Sequence, residues 1–311
     1  MTKQLTVKNL SRAQLRGFTI VPLLTPATAD GRIDEPALGR LVEHIIAGGC
    51  QGLMVCGTTG EFASLTIAQR VHLVQLAIAA ARGRVVIFAG IGDTCPEHSL
   101  TLAREFFAAG ADAVVGNLPS YFPLTPEMME HYFARQADSV TGPMYLYNIP
   151  QTTRQSIPLD VVERLSHHPR IAGIKDSEPD AARQEQLCRM FAERGDFAVF
   201  CGSVAMTSKA MRAGADGFVP GGGNFEPALM CTLMKQLVAG DAAADATQQR
   251  IDEINAVYQK GRTISQLFAS LKAVMEIRGL CSREVFPPLL RATDEEVQQI
   301  RGQLQELGAL S

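Results

Sequence analysis

The sequence predicts an α/β fold, a (β/α)8 TIM barrel with a C-terminal helical extension. Eight short apolar segments alternate with eight helical patterns over the first 240 residues, and residues 241–311 contain no further strand candidate. The short segments are almost continuously apolar, which is typical of strands buried on both faces of a parallel sheet. We therefore expect the barrel and its catalytic site in residues 1–240 and a helical extension in residues 241–311. An open, doubly wound sheet is the alternative arrangement of the same elements.

The predicted strands are rich in β-branched or aromatic residues, and glycine, proline or aspartate bounds each of them. In chain order they cover residues 18–24, 52–57, 85–92, 113–119, 143–150, 171–177, 197–202 and 217–223. The last segment, GFVPGGG, is the richest in glycine, so we expect a substrate to be able to approach its backbone closely.

The predicted helices lie between these strands and in the C-terminal extension. They cover residues 36–47, 66–81, 97–108, 126–138, 159–166, 180–193, 203–213, 226–238, 242–260, 263–279 and 293–308. Asp34 and Thr125 each stand just before a segment with proline in its first turn, which is a helix start signal. The Pro287-Pro288 pair separates the last two helices.

Composition and charge exclude several classes of function. The chain has 311 residues, of which 46% are hydrophobic and 20% are charged, and its net charge is -3. This is a globular balance without the positive field that nucleic acids or anionic membranes attract. No apolar run is long enough to span a bilayer, and the polar N-terminal stretch lacks the apolar core of a signal peptide. We expect a cytoplasmic protein whose partner is a small-molecule substrate, with no nucleic acid and no membrane.

Cysteine and histidine show no metal-binding pattern. The seven cysteines form no C-x-x-C pair, and several lie in apolar runs, so we expect buried, reduced thiols. The six histidines form no H-E-x-x-H motif. His167 and His168 precede Pro169, where a helix should end, and we expect them to serve at the surface or as caps. We expect no structural or catalytic metal.

One lysine stands apart from the others. The chain has seven lysines, and six of them fall in the N-terminal tail or in helical patterns, where we expect solvated charges: Lys3, Lys8, Lys209, Lys235, Lys260 and Lys272. Lys175 instead ends the strand segment IAGI, where a barrel carries its active site. Loss of hydration there favours a neutral amine, which can attack a carbonyl carbon. The alternative is an ion pair with Asp176 or with another acid at a strand end.

Other polar residues also stand at predicted strand ends. Tyr147 lies near the end of its strand, where a phenol can transfer protons, unless it is simply a core tyrosine. In the loop CGTTGE (56–61), glycines flank Thr58 and Thr59, which suits a small carboxylate or else a turn with a helix cap. We expect Glu61 to cap or orient this loop. Gly202 ends another strand before a helix start that is suited to anions.

Three of these segments together resemble the dihydrodipicolinate synthase / N-acetylneuraminate lyase family. They are GTTGE at 57–61, YNIP at 147–150 and GIKDS at 173–177, and their order and the 28-residue spacing from Tyr147 to Lys175 agree with the family. The resemblance covers essentially the whole chain. It implies that Lys175 forms a Schiff base with pyruvate or a 2-keto acid and that Tyr147 is the acid/base. It also implies that Thr58 and Thr59 hold the keto-acid carboxylate, with Thr59 passing protons.

The resemblance also implies features outside these motifs. Tyr121, in PSYFP, matches the tyrosine that family members contribute to the proton relay of a neighbouring subunit. Gly202 and Val219 match backbone positions near the lysine. Family members are commonly homotetramers built from dimers, and they use no cofactor beyond the lysine itself.

Two departures from the synthase pattern bear on the substrate. Thr152 stands where the synthases have an arginine that binds the carboxylate of aspartate semialdehyde, and the nearest arginine is Arg154, which faces the distal end of the substrate or solvent. PSYFP is also shorter than the matching synthase loop. We therefore expect an aldolase or dehydratase that acts on a 2-keto-3-deoxy sugar acid. The alternatives are a true 4-hydroxy-tetrahydrodipicolinate synthase, a non-catalytic keto-acid-binding barrel and a phosphosugar enzyme.

Overall fold

A computed structural model, which describes residues 11–310, contains the predicted barrel. Eight parallel strands pair in sequential order, and β1 closes the barrel by pairing with β8. The strands are β1 Phe18–Pro22, β2 Gly52–Val55, β3 Val86–Gly90, β4 Ala113–Asn117, β5 Met144–Asn148, β6 Ile171–Asp176, β7 Ala198–Cys201 and β8 Gly217–Phe218. The (β/α)8 prediction is confirmed, and the open doubly wound sheet is excluded by this closure.

The barrel has two apolar layers because successive strand residues point to opposite faces. Side chains that point inward form a small cluster that includes Phe88, Tyr145 and Phe200. The rings of Phe88 and Tyr145 meet edge to face, with centroids 5.3 Å apart. Side chains that point outward pack under the helices in a larger core. The interior is therefore filled by side chains, and a substrate is confined to the open ends of the barrel.

The helices follow the predicted segments closely. They are α1 Arg12–Leu15, α2 Glu35–Ala47, α3 Ile67–Ala81, α4 Pro96–Ala109, α5 Pro126–Ser139, α6 Pro150–Thr153, α7 Leu159–Leu165, α8 Ala181–Met190, α9 Thr207–Arg212, α10 Pro227–Ala239, α11 Ala243–Gln259, α12 Ile264–Ile277 and α13 Asp294–Glu306. The predicted start signals are confirmed: Asp34 accepts a hydrogen bond from the Ala37 amide, and Thr125 accepts one from the Met128 amide. The short helices α1 and α6 were not predicted.

The segment 217–223 is a strand for two residues only, so this part of the prediction is wrong. Pro220 has no amide hydrogen to continue the strand ladder, and a 3-10 turn, Gly221–Asn224, follows it. Asn224 is fully buried, and its side-chain amide donates to the carbonyls of Pro22 and Gly221. The glycine-rich segment is therefore a turn held against the end of β1.

Six cysteines are buried and Cys95 is exposed, and all seven are free. Between residues 11 and 310, no helix has the length and apolarity that a membrane span requires. Residues 1–10 of the N-terminal stretch, in which no signal peptide is expected, lie outside the described residues, as do Lys3 and Lys8.

Candidate active site

Lys175 and Tyr147 are neighbours across the β5–β6 ladder, where their Cα atoms are register partners. Both side chains are buried, with 7% and 4% of their surface exposed. The Lys175 Nζ lies 4.0 Å from the centroid of the Tyr147 ring and 3.4 Å from the Met54 sulfur. The Tyr147 hydroxyl lies 3.3 Å from the Thr58 hydroxyl. Three predicted site residues are thus brought together at the C-terminal end of the barrel.

The alternative ion pair between Lys175 and Asp176 is absent. Asp176 points to the opposite face of β6, where it is fully buried and pairs with the Arg183 guanidinium at 2.7 Å. The Asn148 side-chain amide also donates to it, at 3.1 Å. Burial raises the pKa of the Asp176 carboxyl, while Arg183 acts in the opposite direction. Among the described residues no carboxylate forms an ion pair with Lys175, and its Nζ contacts the Met54 sulfur and the Tyr147 ring instead.

The loop after β2 brings Thr58 and Thr59 to the mouth of the barrel in a short 3-10 turn, Thr58–Gly60. Residues with positive φ flank this turn, namely Cys56 at 55° and Glu61 at 56°. Left-handed backbone at a residue other than glycine is uncommon and must be held by its surroundings. The Glu61 carboxylate accepts a hydrogen bond from the Phe286 amide at 2.8 Å. The prediction that Glu61 orients the loop agrees with this contact.

Lys272 was expected to be a solvated charge, and this expectation is wrong. It is fully buried, and its Nζ lies 2.5 Å from the Glu61 carboxylate. Burial lowers the pKa of the Lys272 ammonium, while the Glu61 carboxylate acts in the opposite direction. Its helix, α12, is apolar on nearly all sides, which is the sequence signal of a buried helix. The lysine could have been predicted as buried from that pattern.

Gly202 and Val219 lie beside the lysine, as the resemblance implies. A Cβ atom on Gly202 would lie 1.9 Å from the Ser177 hydroxyl oxygen and 3.1 Å from Lys175 Cε, so a side chain there would displace both. Val219 is buried, and its amide donates to the Cys201 carbonyl at 2.8 Å. Both residues line the cavity above Lys175, where their backbone can contact a ligand.

This cavity has a volume of about 780 Å³. On the barrel side it is lined by Thr58, Thr59, Tyr147, Lys175, Gly202 and Val219, among others. On the other side it is lined by residues of α11, α12 and their connection, namely Asp252, Asn255, Ala256, Gln259, Lys260, Arg262, Thr263, Ile264, Leu267 and Phe268. The strand pattern pointed only to the barrel side. The other wall was missed because it depends on how the C-terminal helices pack over the barrel, for which a local pattern gives no signal.

Three predicted residues stand apart from the Lys175 cluster. The Thr152 hydroxyl donates to the Ile149 carbonyl at 3.3 Å, and Thr152 is not among the residues that line the cavity. Arg154 is exposed and lies at the edge of the cavity, in a left-handed conformation with φ of 61°. Tyr121 is 76% exposed and packs edge to face on Phe122, in a separate hollow of about 520 Å³.

No metal site is apparent in the described part of the chain, because no three histidine, cysteine or acidic side chains come together there. His168 serves at the surface, as expected. Its Nε2 lies 3.1 Å from the Asp138 carboxylate, and its Nδ1 accepts a hydrogen bond from the Arg170 amide.

Comparisons with known sequences identify relatives over nearly the whole chain. The model of the family described as "Dihydrodipicolinate synthetase family" matches residues 15–307. The chain is 31% identical over 296 residues to an Escherichia coli K12 protein named "Probable 2-dehydro-3-deoxy-D-pentonate aldolase YjhH", covering 94% of this chain and 97% of the relative. It is 34% identical over 297 residues to a 4-hydroxy-tetrahydrodipicolinate synthase of Thermus thermophilus, covering 94% and 96%.

Solved structures share the fold. YagE, a prophage protein of the dihydrodipicolinic acid synthase family from E. coli K12, was crystallised in complex with pyruvate. It matches with a TM-score of 0.89 and 30% identity over 94% of this chain and 98% of that one. The chloride-inhibited dihydrodipicolinate synthase of Acinetobacter baumannii, also complexed with pyruvate, matches with a TM-score of 0.86 and 27% identity over 94% and 98%.

The family resemblance drawn from three motifs is thereby confirmed. Proteins of this family are class I lyases and aldolases that work through a Schiff base without a separate cofactor, and the relatives bear aldolase or synthase names. The chain belongs to the dihydrodipicolinate synthetase family, and it is an enzyme of the class I aldolase and lyase type.

Proposed function

We propose that Lys175 forms a Schiff base with the keto carbon of pyruvate or of a 2-keto acid. The observation that carries this proposal is the buried Lys175 amine, which lies over the Tyr147 ring at the floor of the cavity with no carboxylate partner among residues 11–310. An unpaired amine that faces the cavity can attack the keto carbon of a bound substrate.

The proposed reaction begins when the neutral Lys175 amine attacks the keto carbon. Tyr147 gives a proton to the departing hydroxyl, so that water leaves and a protonated imine remains. When the C3–C4 bond breaks, its electron pair moves into this cation to form an enamine, and the C4 hydroxyl loses its proton as that fragment departs as an aldehyde. Loss of a C3 proton to a base gives the corresponding enamine without cleavage. The enamine then takes up a proton or attacks an aldehyde.

The remaining site residues position the substrate. Thr58 and Thr59 would bind the keto-acid carboxylate with hydroxyl and backbone donors, and Thr59 would also pass protons, while the Thr58 hydroxyl lies 3.3 Å from the Tyr147 hydroxyl. Gly202 and Val219 would contact the substrate through their backbone. Holding the carboxylate fixes the keto carbon opposite the Lys175 amine, which is the larger part of the catalytic contribution expected from this loop.

We propose a 2-keto-3-deoxy sugar acid as the physiological substrate. Thr152 has no guanidinium group with which to bind a second carboxylate, and its hydroxyl already donates a hydrogen bond to the Ile149 carbonyl. The cavity is much larger than pyruvate, and polar side chains such as Gln151, Asn255 and Gln259 line it, which suits a hydroxylated chain. The name of the E. coli K12 relative, a pentonate aldolase, supports the same substrate class.

A true 4-hydroxy-tetrahydrodipicolinate synthase is the second candidate, with pyruvate and aspartate semialdehyde as substrates. One observation favours it, namely that Arg154 stands at the edge of the cavity, where it could bind the second carboxylate. The Thermus thermophilus relative carries this name. Substituting Arg154 by glutamine distinguishes the candidates, because only a synthase would lose affinity for aspartate semialdehyde.

We also propose that the enzyme is a homotetramer and that the chain divides into a catalytic barrel and a helical extension. The exposed ring of Tyr121 would enter the site of a neighbouring subunit in a homotetramer built from dimers. Residues 1–240 would carry the catalytic barrel, and residues 241–311 would form the helical extension that closes one side of the cavity. The enzyme would be cytoplasmic and would use no cofactor other than the imine on Lys175.

Borohydride trapping tests the proposal. The protein is incubated with pyruvate, reduced and digested, and mass spectrometry then locates the adduct. We expect a pyruvyl adduct on the peptide that contains Lys175, and turnover of at least one 2-keto-3-deoxy acid in a substrate panel. An adduct on no lysine, or binding without carbon-bond chemistry across the panel, would favour a non-catalytic keto-acid-binding barrel. Faster condensation of pyruvate with aspartate semialdehyde than any cleavage would favour the synthase.

A further inference from the structure

The C-terminal extension contacts the predicted carboxylate-binding loop through one buried ion pair. Glu61 ends the 3-10 turn that carries Thr58 and Thr59, and its side chain reaches Lys272 in the middle of α12. We propose that Lys272 is a positioning residue that acts through Glu61 and holds Thr58 and Thr59 in the geometry that binds the keto-acid carboxylate. This inference rests on the proposed function of that loop.

Both oxygens of the Glu61 carboxylate are bound by the extension. One lies 2.5 Å from the Lys272 ammonium, and the other accepts a hydrogen bond from the Phe286 amide at 2.8 Å. Glu61 is only 4% exposed, so water competes little for these contacts. Two separate points of the extension therefore fix the direction of one side chain, and through it the end of the loop.

Lys272 is held as firmly as Glu61. Its Nζ also donates to the Glu284 carbonyl at 2.8 Å, and it lies 5.1 Å from the centroid of the Phe286 ring. The lysine, the Phe286 amide and the Glu284 carbonyl all belong to α12 and to the segment after it. The extension thus supplies both groups that contact the Glu61 carboxylate.

The backbone conformation of the loop requires these contacts to Glu61. Glu61 has a φ of 56°, a conformation that residues other than glycine rarely adopt without support. The Gly60 carbonyl is held from the barrel side by the Thr25 hydroxyl at 2.7 Å. Without the ion pair between Lys272 and Glu61, the backbone at Glu61 would relax to a negative φ. The hydroxyls of Thr58 and Thr59 would then change direction as well.

A purely structural ion pair is the competing explanation, and energetics disfavour it. Burying two charges costs about as much free energy as their attraction returns, so a well-packed apolar pair would stabilise the fold equally well. Unlike an apolar pair, an ion pair fixes the direction in which the Glu61 carboxylate points. The two explanations differ in what they predict for substrate affinity.

The test compares pyruvate saturation with stability in a set of variants. We expect Lys272→Met and the double variant Glu61→Gln/Lys272→Met to raise the pyruvate concentration that half-saturates borohydride trapping at Lys175 by about tenfold to a hundredfold. Trapping at saturating pyruvate should change far less, and Lys272→Arg should recover most of the affinity. The double variant removes both charges, so it remains foldable if Lys272→Met alone is not.

Arg12→Met is the matched control. It removes another buried ion pair, Arg12–Asp216 at 2.9 Å, whose side chains are 10% and 6% exposed and which lies at the opposite end of the barrel. We expect it to lower the melting temperature without moving the half-saturating pyruvate concentration. A wild-type half-saturation in a folded double variant would overturn the inference. Failure of the wild-type protein to trap pyruvate at Lys175 would instead overturn the proposed function.

Discussion

Lys175 and Lys272 are the same side chain in two buried places, and they differ in their partners. Lys175 is 7% exposed and faces the cavity beside a tyrosine ring and a methionine sulfur. Lys272 is fully buried and lies 2.5 Å from the Glu61 carboxylate. The two buried lysines therefore differ in whether a carboxylate pairs with the amine.

The surroundings of each lysine follow from its place in the fold. Lys175 ends a strand, and its neighbour Asp176 points to the other face, where Arg183 neutralises it. The acid next to Lys175 in the sequence is thus directed away from the cavity. Lys272 lies in the middle of a helix that packs on the barrel, where it has no route to solvent and must be paired.

The largest effect is expected from Lys175→Ala. Loss of the nucleophile should lower turnover by roughly 10⁴-fold or more, and trapping with pyruvate should disappear. The free energy of unfolding should fall by less than about 1 kcal/mol, because no partner charge is left unpaired. Steady-state kinetics and urea unfolding measure both quantities. A large loss of stability would mean that Lys175 has a structural role as well.

Tyr147→Phe should have the next largest effect. Without the hydroxyl that lies 3.3 Å from Thr58, proton transfer during imine formation should slow by about 10²- to 10⁴-fold. The ring remains, so its contact with the Lys175 amine and the packing of β5 should persist. Stopped-flow measurement of imine formation, followed by borohydride trapping, should give a slow but complete adduct on Lys175. Full turnover in this variant would refute the role of the phenol.

Lys272→Met should lower stability in addition to weakening pyruvate binding. It leaves the Glu61 carboxylate buried without its partner, which costs about 3–5 kcal/mol of unfolding free energy. The adduct on Lys175 should still form at high pyruvate concentration. Urea unfolding monitored by circular dichroism gives the free energy. If Lys272→Met retained wild-type stability, the contrast between the two lysines would not depend on the carboxylate.

The smallest effect is expected from Met54→Leu. The Met54 sulfur lies 3.4 Å from the Lys175 Nζ, but a thioether cannot hold an ammonium as a carboxylate does. A swap that conserves volume should cost less than about 1.5 kcal/mol of stability and should leave turnover nearly unchanged. Met54→Glu provides the opposite test, because it would give Lys175 a carboxylate partner and should suppress trapping. Equal activity in both variants would contradict the importance of an unpaired amine.

The barrel could be predicted from the sequence because its strands are marked by dense β-branched apolar runs that helices do not share. Lys175 and Tyr147 could be located for the same reason, since the carboxyl end of each strand is fixed once the strand is known. The turn around Asn224, by contrast, could not be predicted from the sequence. The buried side-chain amide of Asn224 holds the turn after Pro220 by donating to the Pro22 carbonyl of β1, which is a contact between distant parts of the chain.

The side of the cavity that α11 and α12 form could not be predicted from the sequence either, because it too depends on contacts between distant segments. Asp252 and Gln259 stand on the same helix as many solvated residues, and nothing in their spacing indicates that a cavity faces them. Lys272 is an intermediate case. The apolar sequence around it is a signal of burial that the expectation of a solvated charge overlooked, and its partner Glu61 could be found only in three dimensions.

The hydrogen bond from the Phe286 amide to Glu61 joins residues that are 225 positions apart. A growing chain therefore carries its threonine loop for most of its synthesis before the segment that orients it has left the ribosome. The barrel strands are complete at residue 218, but the loop can reach its final conformation only after residue 286 has been added. Synthesis thus makes every barrel strand available before the segment that holds the Glu61 end of the Thr58–Thr59 loop.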